Sequence, residues 1–322
     1  MHTKNSIVGN NSNPITSSTI HQVEDLTINW HITEACNYRC QYCYAHWKDQ
    51  PDRRELFHHP DRTIDLLEHV FRFFHPENTQ NPLRKTLSWK SVRLNIAGGE
   101  PSILNGRLVE IARAAREIGF RLSIISNGSK LSHEALQLLA PDLTCLGISL
   151  DSNDPAINRA IGRNDRHGKL LNVNELIENL RSARFLNPLM TIKLNTVVNR
   201  LNAGEDLSHL VEQVQPDRWK VLRMLPVLDT SLAISDKQFA AYVRRHEAFA
   251  SIQCIEDHED MCESYLMIDP FGRFFQNRPT LSSDGYVYSK PILSVGAGAA
   301  FSEMAFNPIG FQSRYTDGQG QS

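Results

Sequence analysis

Leu26-Thr-Ile-Asn-Trp-His-Ile32, followed by Cys36-Asn-Tyr-Arg-Cys-Gln-Tyr-Cys43, sets the architecture of this chain. The first segment alternates apolar and polar side chains, which predicts a β-strand. The second segment places three cysteines in one short loop at the spacing C-x3-C-x2-C. Thiolates at this spacing can hold three irons of a cubane 4Fe-4S cluster and leave the fourth iron open to a substrate or cofactor. The two segments therefore predict a chemically active loop directly after a first strand.

The same loop also fits a zinc site. His46 follows Cys43 by three residues, and three thiolates with one imidazole are a common tetrahedral ligand set for zinc. Cysteine clusters in intracellular proteins are often zinc sites. On the loop alone, both interpretations stay open.

The composition fits one α/β domain with appendages. The chain has 322 residues, 41% hydrophobic content and a formal net charge of −2. This balance indicates neither a general nucleic-acid partner nor a membrane-surface partner. No apolar run reaches the ~18–20 residues that span a bilayer, and no signal peptide precedes the first strand, so we expect a cytoplasmic protein. Cys145, Cys254 and Cys262 match no disulfide framework, and we interpret them as structural.

The order of predicted elements indicates a partial (βα)6 TIM-type barrel with a C-terminal extension. Residues 1–24 lack apolar periodicity and are predicted to be a disordered leader. The barrel is expected over 25–250 and the extension over 251–322, ending in a disordered tail. Repeated βα units require parallel strands. Strands are predicted near 26–32, 91–97, 121–126, 143–150, 190–198 and 217–225, and helices near 61–75, 105–119, 131–140, 170–186, 203–215 and 235–249.

Several of these strands carry polar residues on one face. Parallel strands covered by helices are normally apolar on both faces, so we expect the polar faces to line the barrel lumen. They bring together four cations, Arg93, Lys193, Arg218 and Lys220. Buried cations without counter-charges are prohibitively costly, which predicts an anionic ligand such as a triphosphate. Alternatively, Arg218 and Lys220 are solvated at the bottom edge of the barrel or paired with an acid such as Asp217.

Three strand ends carry small polar motifs, in the position where barrel enzymes hold their catalytic groups. Gly98-Gly-Glu-Pro101 follows the second strand and lets a ligand approach the backbone closely. Ser126-Asn-Gly-Ser129 follows the third strand and Ile148-Ser-Leu-Asp-Ser152 the fourth, with hydroxyls and amides suited to a ribose and an amino acid. For Ser129 and Ser152, ordinary helix capping is the alternative.

The cysteine spacing with Tyr42, combined with the Gly-Gly-Glu-Pro motif, resembles the radical S-adenosylmethionine (SAM) superfamily. The resemblance narrows to viperin and its prokaryotic relatives over roughly residues 26 to 300. The matching segments are Asn29-Trp-His-Ile-Thr, Cys36-Asn-Tyr-Arg-Cys-Gln-Tyr-Cys-Tyr, Arg93-Leu-Asn-Ile-Ala-Gly-Gly-Glu-Pro, Ile125-Ser-Asn-Gly-Ser, Ile148-Ser-Leu-Asp-Ser, Asn158-Arg-Ala-Ile-Gly-Arg163, Lys193-Leu-Asn-Thr-Val-Val-Asn-Arg-Leu-Asn, Arg218-Trp-Lys-Val and Ser264-Tyr-Leu-Met-Ile-Asp.

This resemblance implies an enzyme that converts a ribonucleoside triphosphate into its 3′-deoxy-3′,4′-didehydro analogue, a chain terminator used against viruses or phages. A 5′-deoxyadenosyl radical made from SAM would remove the ribose C4′ hydrogen, and the C4′ radical would lose its 3′-hydroxyl as water after gaining one electron and one proton. The implied cofactors are SAM and a 4Fe-4S cluster bound by Cys36, Cys40 and Cys43. The implied partners are the nucleotide and an electron donor such as flavodoxin or ferredoxin, with a monomeric chain and no nucleic-acid or membrane partner.

The resemblance also implies roles for individual residues. SAM is expected to contact Tyr42, Gly98, Gly99, Glu100, Asn127, Ser149 and Arg163. The nucleotide is expected to contact Asn29, His31, Arg93, Lys193, Asn195, Arg218, Lys220 and Tyr265. Tyr265 is the candidate catalytic residue, as a donor of a proton or electron, and a core aromatic is its alternative role. The C-terminal extension is expected to close over the nucleotide.

The chain also departs from the family pattern. Arg93 stands where animal relatives have Lys, and beyond about residue 276 the similarity thins, which leaves the base preference open. We expect no membrane anchor, since no amphipathic helix precedes the first strand. The alternatives are a radical SAM enzyme that modifies a peptide or a tRNA, and a non-catalytic zinc or nucleotide-binding module.

Overall fold

A ten-stranded sheet forms the frame of the protein, in the strand order β10-β9-β8-β1-β2-β3-β4-β5-β6-β7. The computed structural model describes residues 20–43, 48–226, 230–257, 263–277 and 285–316, with side chains up to residue 314. The strands are β1 (His21–His31), β2 (Leu87–Ala97), β3 (Arg121–Ser126), β4 (Leu143–Ser149), β5 (Thr191–Val198), β6 (Arg218–Arg223), β7 (Gln253–Glu256), β8 (Leu266–Ile268), β9 (Arg273–Asn277) and β10 (Tyr286–Pro291).

Strands β1 to β7 are parallel, and each pairs with the next one along the chain. The first six confirm the predicted partial barrel. Strand β8 adds in parallel beside β1, and β9 and β10 continue the sheet in antiparallel fashion. The sequence pattern did not predict β7 to β10, because β7 to β9 are short and all four lie where the periodicity is weak.

Strands β1 and β2 begin earlier than predicted. Val23 and Trp89 are buried, so the alternation that supports each strand continues towards its start. Residues 21–24 therefore belong to a strand rather than to the predicted leader. The leader's residues 1–19 lie outside the described residues.

The helices are α1 (Pro60–Phe74), α2 (Gly106–Ile118), α3 (His133–Leu139), α4 (Pro155–Ile161), α5 (Val173–Leu186), α6 (Ser208–Val214), α7 (Asp236–Arg245), α8 (Ile292–Val295), α9 (Ala297–Ser302) and α10 (Pro308–Thr316). Helices α1 to α7 connect the successive strands from β1 to β7, and α8 to α10 follow β10. The six predicted helices correspond to α1, α2, α3, α5, α6 and α7. Helix α4 was missed, although Asp154 caps it by accepting from the backbone N–H of Ala156 at 2.6 Å.

The apolar faces of the strands pack against these helices, as their alternation predicts. Ile28, Trp30, Leu194, Trp219 and Val221 are each 0% exposed. Burying an apolar side chain of this size stabilises the fold by roughly 1.5–3 kcal/mol. Because side chains alternate along a strand, the polar face of each strand is turned towards the lumen.

The C-terminal residues return to the barrel and pack against α1, β9 and β1. The ring of Phe301 in α9 lies 5.6 Å from the ring of Phe74 in α1 and 5.6 Å from that of Phe274 in β9. Phe311 in α10 is fully buried. Of the predicted disordered tail, residues 317–322 lie outside the described residues. In the described part of the chain, no helix is long and apolar enough to cross a membrane.

Candidate active site

A cavity of about 360 Å³ occupies the lumen of the barrel. All the residues predicted for the site line it, with the exception of Arg218. The cavity reaches from the cysteine loop at the C-terminal ends of the strands to Thr27 and Arg93, which lie deeper in the lumen. The structure thus brings together side chains that are spread over more than two hundred residues of sequence, as Cys36 and Tyr265 show.

The cysteine loop is held from both sides by backbone hydrogen bonds. On one side, Gly99 N–H donates to Thr33 O at 2.8 Å and Glu100 N–H donates to Ala35 O at 2.8 Å. On the other side, Arg39 N–H donates to Gly162 O at 3.0 Å. A side chain at Gly99 or Gly162 would overlap a carbonyl group of the loop, so both positions require glycine.

The three cysteines project from this loop into the cavity. Cys36 is buried, and Cys40 and Cys43 are half-buried. Burial raises the pKa of the Cys36 thiol to about 12, and burial also raises the pKa of Cys40. Thiols in such surroundings ionise when a cation binds them, and three of them on one loop fit the ligand set of a 4Fe-4S cluster.

The zinc alternative requires His46 as the fourth ligand. His46 lies outside the described residues. Within the described residues, no group of three His, Cys, Asp or Glu side chains is placed to hold a single metal ion.

Glu100 joins the end of β2 to the end of β3. Its buried carboxylate accepts hydrogen bonds from Ser102 N–H at 2.9 Å, Ser102 Oγ at 2.6 Å, Ser126 Oγ at 2.7 Å and Asn127 N–H at 2.6 Å. Burial raises its pKa, and these donors counteract that rise. Most of its acceptor capacity is therefore used within the protein, and Oε2, with a single donor, has capacity left for a ligand.

The other polar strand ends build turns rather than helix caps. Asn127 accepts from Ser129 N–H at 2.9 Å and from Ser129 Oγ at 2.6 Å. The helices that follow are capped by Ser132 and Asp154, so the capping alternative for Ser129 and Ser152 was wrong.

A buried cation links the fourth strand to the cysteine loop. Arg163 donates to Tyr42 Oη at 3.0 Å, to Asp151 Oδ2 at 3.2 Å and to the carbonyl of Ser149. Tyr42 also donates to Asp151. Desolvation lowers the pKa of Arg163, but Asp151 and Tyr42 outweigh it and raise that pKa well above its usual range. Arg163 is thus held as a fixed positive charge beside the cysteines.

A chain of amides crosses the middle of the lumen. Ser123 Oγ donates to Asn95 Oδ1 at 2.8 Å, and Asn95 Nδ2 donates to Asn29 Oδ1 at 2.7 Å. Asn29 Nδ2 then reaches the carbonyl of Leu266 at 3.3 Å. His31, on the same face of β1, has its pKa lowered to about 4 by burial, so its imidazole is neutral near pH 7. The middle of the cavity is therefore polar but carries no net charge.

The expectation of four cations without counter-charges was wrong for two of them. Arg93 forms an ion pair with Asp25, which also binds Arg121 Nη1 at 3.0 Å. Lys220 forms an ion pair with Glu256. Neither acid was selected from the sequence, because Asp25 precedes the predicted start of the first strand and Glu256 lies in the segment that was predicted as the C-terminal extension.

Lys193 and Arg218 have no carboxylate partner within the described residues, and of the two only Lys193 lines the cavity. Burial lowers the pKa of Lys193 to about 8. Arg218 is the Cα partner of Lys193 on the next strand, and its Nη2 is buried without a hydrogen-bond partner. The alternative partner Asp217 instead binds Arg184 at 2.8 Å.

Of the buried polar atoms that lack a partner, two belong to residues at the deeper end of the cavity. Thr27 Oγ1 and Arg93 Nε form no hydrogen bond, and both residues line the cavity. Such an atom costs roughly 1–3 kcal/mol when it is left unsatisfied. Thr27 was not selected from the sequence, although its position on the polar face of β1 gave a signal for it. The deeper part of the lumen therefore contains buried donors that have no partner within the part of the chain that the structure describes. We call Thr27 Oγ1 and Arg93 Nε the layer of unsatisfied groups.

The fold and this cavity define a class of protein, in which a cysteine-bearing loop after the first strand of a partial barrel faces a polar lumen. Residues 30–198 match the family model of the radical SAM superfamily. The fold is similar to that of anSMEcpe with bound AdoMet, with a TM-score of 0.60 and 13% identity over 90% of this chain and 84% of that one. A further structure, of anSMEcpe with bound AdoMet and the Cp18Cys peptide, gives a TM-score of 0.61 and 13% identity over 88% of this chain and 82% of that one.

The relatives in sequence are more specific. A protein of Pseudoalteromonas ulvae, named S-adenosylmethionine-dependent nucleotide dehydratase, is 42% identical over 91% of this chain and 94% of its own length. A protein of Psychrobacter lutiphocae with the same name is 40% identical over 91% of this chain and 95% of its own length. This chain belongs to the family of S-adenosylmethionine-dependent nucleotide dehydratases within the radical SAM superfamily.

Proposed function

We propose that the protein binds a ribonucleoside triphosphate and SAM in its lumen and converts the nucleotide into a 3′-deoxy-3′,4′-didehydro product. The names of the relatives support the dehydration of a nucleotide, and the cavity supports a triphosphate as the substrate. A 4Fe-4S cluster on Cys36, Cys40 and Cys43 would supply the electron that cleaves SAM, so that a carbon radical can remove the ribose C4′ hydrogen. The chain's own residues bind and orient the two ligands.

The layer of unsatisfied groups is the observation that carries this proposal. Thr27 Oγ1 and Arg93 Nε are buried donors without a partner, and both residues line the cavity. Arg218 Nη2, on the strand beside Lys193, is also buried without a partner, although Arg218 does not line the cavity. Lys193 adds a positive charge with no carboxylate partner among the described residues. Phosphate oxygens accept hydrogen bonds from all of these groups and neutralise their charge. A ligand with several phosphates can therefore accept hydrogen bonds from these buried donors and neutralise the charge of Lys193 in a single binding event.

The opposite end of the cavity suits SAM. The backbone of Gly98 and Gly99 lies open to the cavity there, beside the free capacity of Glu100. A carboxylate of this kind accepts hydrogen bonds from an amino group, and Arg163 supplies a nearby positive charge for a ligand carboxylate. We assign Tyr42, Asn127 and Ser149 to the walls of this SAM site.

The ribose would lie between the two ends. Asn29, Asn195 and neutral His31 line that part of the cavity, where amides can bind hydroxyl groups. Tyr265 stands at the wall next to Lys220, with its hydroxyl 3.1 Å from Lys220 Nζ. We assign Tyr265 as the donor of the proton with which the 3′-hydroxyl leaves as water, and the electron that this step also needs would come from an external one-electron donor. Holding the C4′ hydrogen near the radical is the main demand, because misplacement of about 1 Å can cost about 100-fold in rate.

The alternatives fit the cavity less well. A peptide or tRNA would need an open groove, whereas the unsatisfied donors of Thr27 and Arg93 lie deep in the lumen and suit a small anion. The likeness to a peptide-bound structure concerns the fold alone. A zinc module would not need the layer of unsatisfied groups, or Lys193, at the far end of the cavity. We also propose that an external one-electron donor such as flavodoxin or ferredoxin serves the reaction. The protein is proposed to be cytoplasmic and monomeric, and to act against viruses or phages.

The test is an anaerobic assay of the protein reconstituted with iron and sulfide. SAM, dithionite and each of the four ribonucleoside triphosphates are supplied in turn, and 5′-deoxyadenosine is measured. We expect one or more nucleotides to raise its formation strongly and to yield a product lighter by one water. Deuterium from a 4′-labelled nucleotide should appear in 5′-deoxyadenosine. If no triphosphate stimulates SAM cleavage, the proposal is wrong.

A further inference from the structure

A cluster of charged groups meets the cavity where the C-terminal extension reaches the barrel. Glu256, at the end of β7, is 2% exposed. It forms an ion pair with Lys220 and accepts from the hydroxyl of Tyr265 at 2.9 Å. Arg314 Nη1 donates to the same carboxylate at 2.7 Å. One acid therefore holds both of the residues that are expected to meet the nucleotide on this wall.

Arg314 lies in α10, near the end of the chain, and contacts both Glu256 and the ring of Tyr265. It is 6% exposed, and its Nε donates to Ser264 Oγ at 2.9 Å. Its guanidinium lies 3.9 Å from the centre of the Tyr265 ring, within the range of a cation–π contact. Tyr265 is thus fixed at its ring by Arg314 and at its hydroxyl by Glu256.

We propose that Glu256, held in place by Arg314, is a positioning residue that sets the geometry of Lys220 and Tyr265 against the nucleotide. The inference rests on the proposed function, because it concerns how these two side chains meet that substrate. It makes the docking of α10 a requirement for an ordered site.

The charge of Glu256 makes the inference testable. A buried carboxylate repels a triphosphate, so a residue that acted through its charge alone would only weaken nucleotide binding. Its removal would then lower KM and leave kcat unchanged. A positioning residue behaves differently, since its removal frees Lys220 and Tyr265 to move. The reaction would then slow even though the nucleotide still binds.

The experiment compares Glu256→Gln with Glu303→Gln. Glu303 is a matched control, because it is an exposed carboxylate of the same extension and pairs with Lys290 at 3.1 Å. We expect Glu256→Gln to lower kcat for nucleotide-dependent 5′-deoxyadenosine formation by about 10- to 100-fold. The affinity of iron-free protein for the nucleotide, measured by calorimetry, should stay within about threefold of wild type or rise. Glu303→Gln should match wild type in both measurements.

A double-mutant cycle with Tyr265→Phe gives a second measurement. If Glu256 acts by orienting the Tyr265 hydroxyl, the combined loss in kcat is smaller than the product of the single losses. Arg314→Lys keeps the charge and should retain more activity than Arg314→Met. A kcat for Glu256→Gln within twofold of wild type, or fully multiplicative losses, would overturn the inference.

A crystal structure of the iron-free Glu256→Gln protein separates this inference from the proposed function. We expect Lys220 Nζ to move away from the Tyr265 hydroxyl, to which it now lies at 3.1 Å. If Lys220 and Tyr265 keep their positions in this variant, Glu256 does not position them, whatever the kinetic measurements show. If wild type shows no nucleotide-dependent SAM cleavage, the proposed function fails, while this structural result still decides the role of Glu256. If the Glu256→Gln protein does not fold, Arg314→Met takes its place in the kinetic measurements and in the crystal structure.

Discussion

Lys193 and Arg218 are Cα partners on the neighbouring strands β5 and β6, and neither has a carboxylate partner in the part of the chain that the structure describes. Two like charges side by side in a low-dielectric lumen repel each other. The ligand-free fold tolerates this arrangement at a cost in stability. An anion that binds both residues removes the repulsion, so the pair makes nucleotide binding and stability depend on each other.

The first prediction concerns the replacement of Lys193 by an apolar residue of similar length. Lys193→Met should raise the free energy of unfolding of the ligand-free protein by about 1 kcal/mol, because a buried charge without a counter-charge is removed. It should weaken nucleotide binding by about 10-fold or more, since a charge-assisted contact to phosphate is lost. Urea denaturation and calorimetry measure the two effects. Exposed Lys169→Met is the control and should change neither. A destabilised Lys193→Met protein with normal nucleotide binding would contradict our assignment.

The second prediction follows from the pKa of Lys193, which burial lowers from 10.5 to about 8. Between these two values the unfolded chain binds more protons than the folded one, so stability without ligand rises with pH across this window. Nucleotide binding needs the charged amine and should weaken as pH rises above about 8. Lys193→Arg, which stays charged, should bind with an affinity that is flat over the same range. A wild-type pH profile as flat as that of Lys193→Arg would rule out the charge of Lys193 as a phosphate contact.

The third prediction compares two buried threonines. Thr27 Oγ1 has no hydrogen-bond partner, whereas Thr196 Oγ1 donates to Leu150 O at 2.8 Å and accepts from Trp219 Nε1 at 2.9 Å. Thr27→Val should leave stability unchanged or slightly higher and weaken nucleotide binding severalfold. Thr196→Val should lose about 1–3 kcal/mol of stability, because it leaves buried groups unsatisfied, and keep nucleotide affinity. Thermal denaturation and calorimetry on both variants measure this contrast, and equal behaviour of the two would remove Thr27 from the site.

The predictable part of the site is the part that local pattern encodes. Alternation in β1, β2, β5 and β6 placed Asn29, Arg93, Lys193 and Lys220 on lumen faces, and the structure has all four lining the cavity. Side chains at every second position of a strand share a face, so the order of strands was enough to bring them together. The cysteine spacing likewise located its own loop.

The acids that pair with the cations were not predictable in the same way. Asp25 lies before the point where the alternation becomes clear, and Glu256 lies in β7, a strand of four residues. Arg314 reaches the site only because α10 folds back beside β1, a contact between the two ends of the described chain. No local periodicity encodes such a long-range approach. The sequence therefore overstated the free positive charge in the lumen and missed the cluster around Glu256.

The fourth prediction concerns Gly162, which presses its backbone against the cysteine loop. Its φ is 90°, a conformation that costs a residue with a side chain about 1–3 kcal/mol. A Cβ at this position would also overlap the carbonyl group of Arg39, which lies between Cys36 and Cys40. Gly162→Ala should therefore displace the loop as well as strain the backbone.

We expect Gly162→Ala to lower the stability of the iron-free protein by about 1–3 kcal/mol or more and to lower the iron bound after reconstitution. Gly106→Ala is the control, because a Cβ there meets nothing within 4 Å and the residue begins α2. Alanine in a helix should leave stability equal or raise it by about 0.5–1 kcal/mol, with full iron loading. Iron analysis and thermal denaturation of both variants test this. If Gly162→Ala loads iron as wild type does, the loop does not depend on the close approach of α4, and the clamp from that side has no part in building the site.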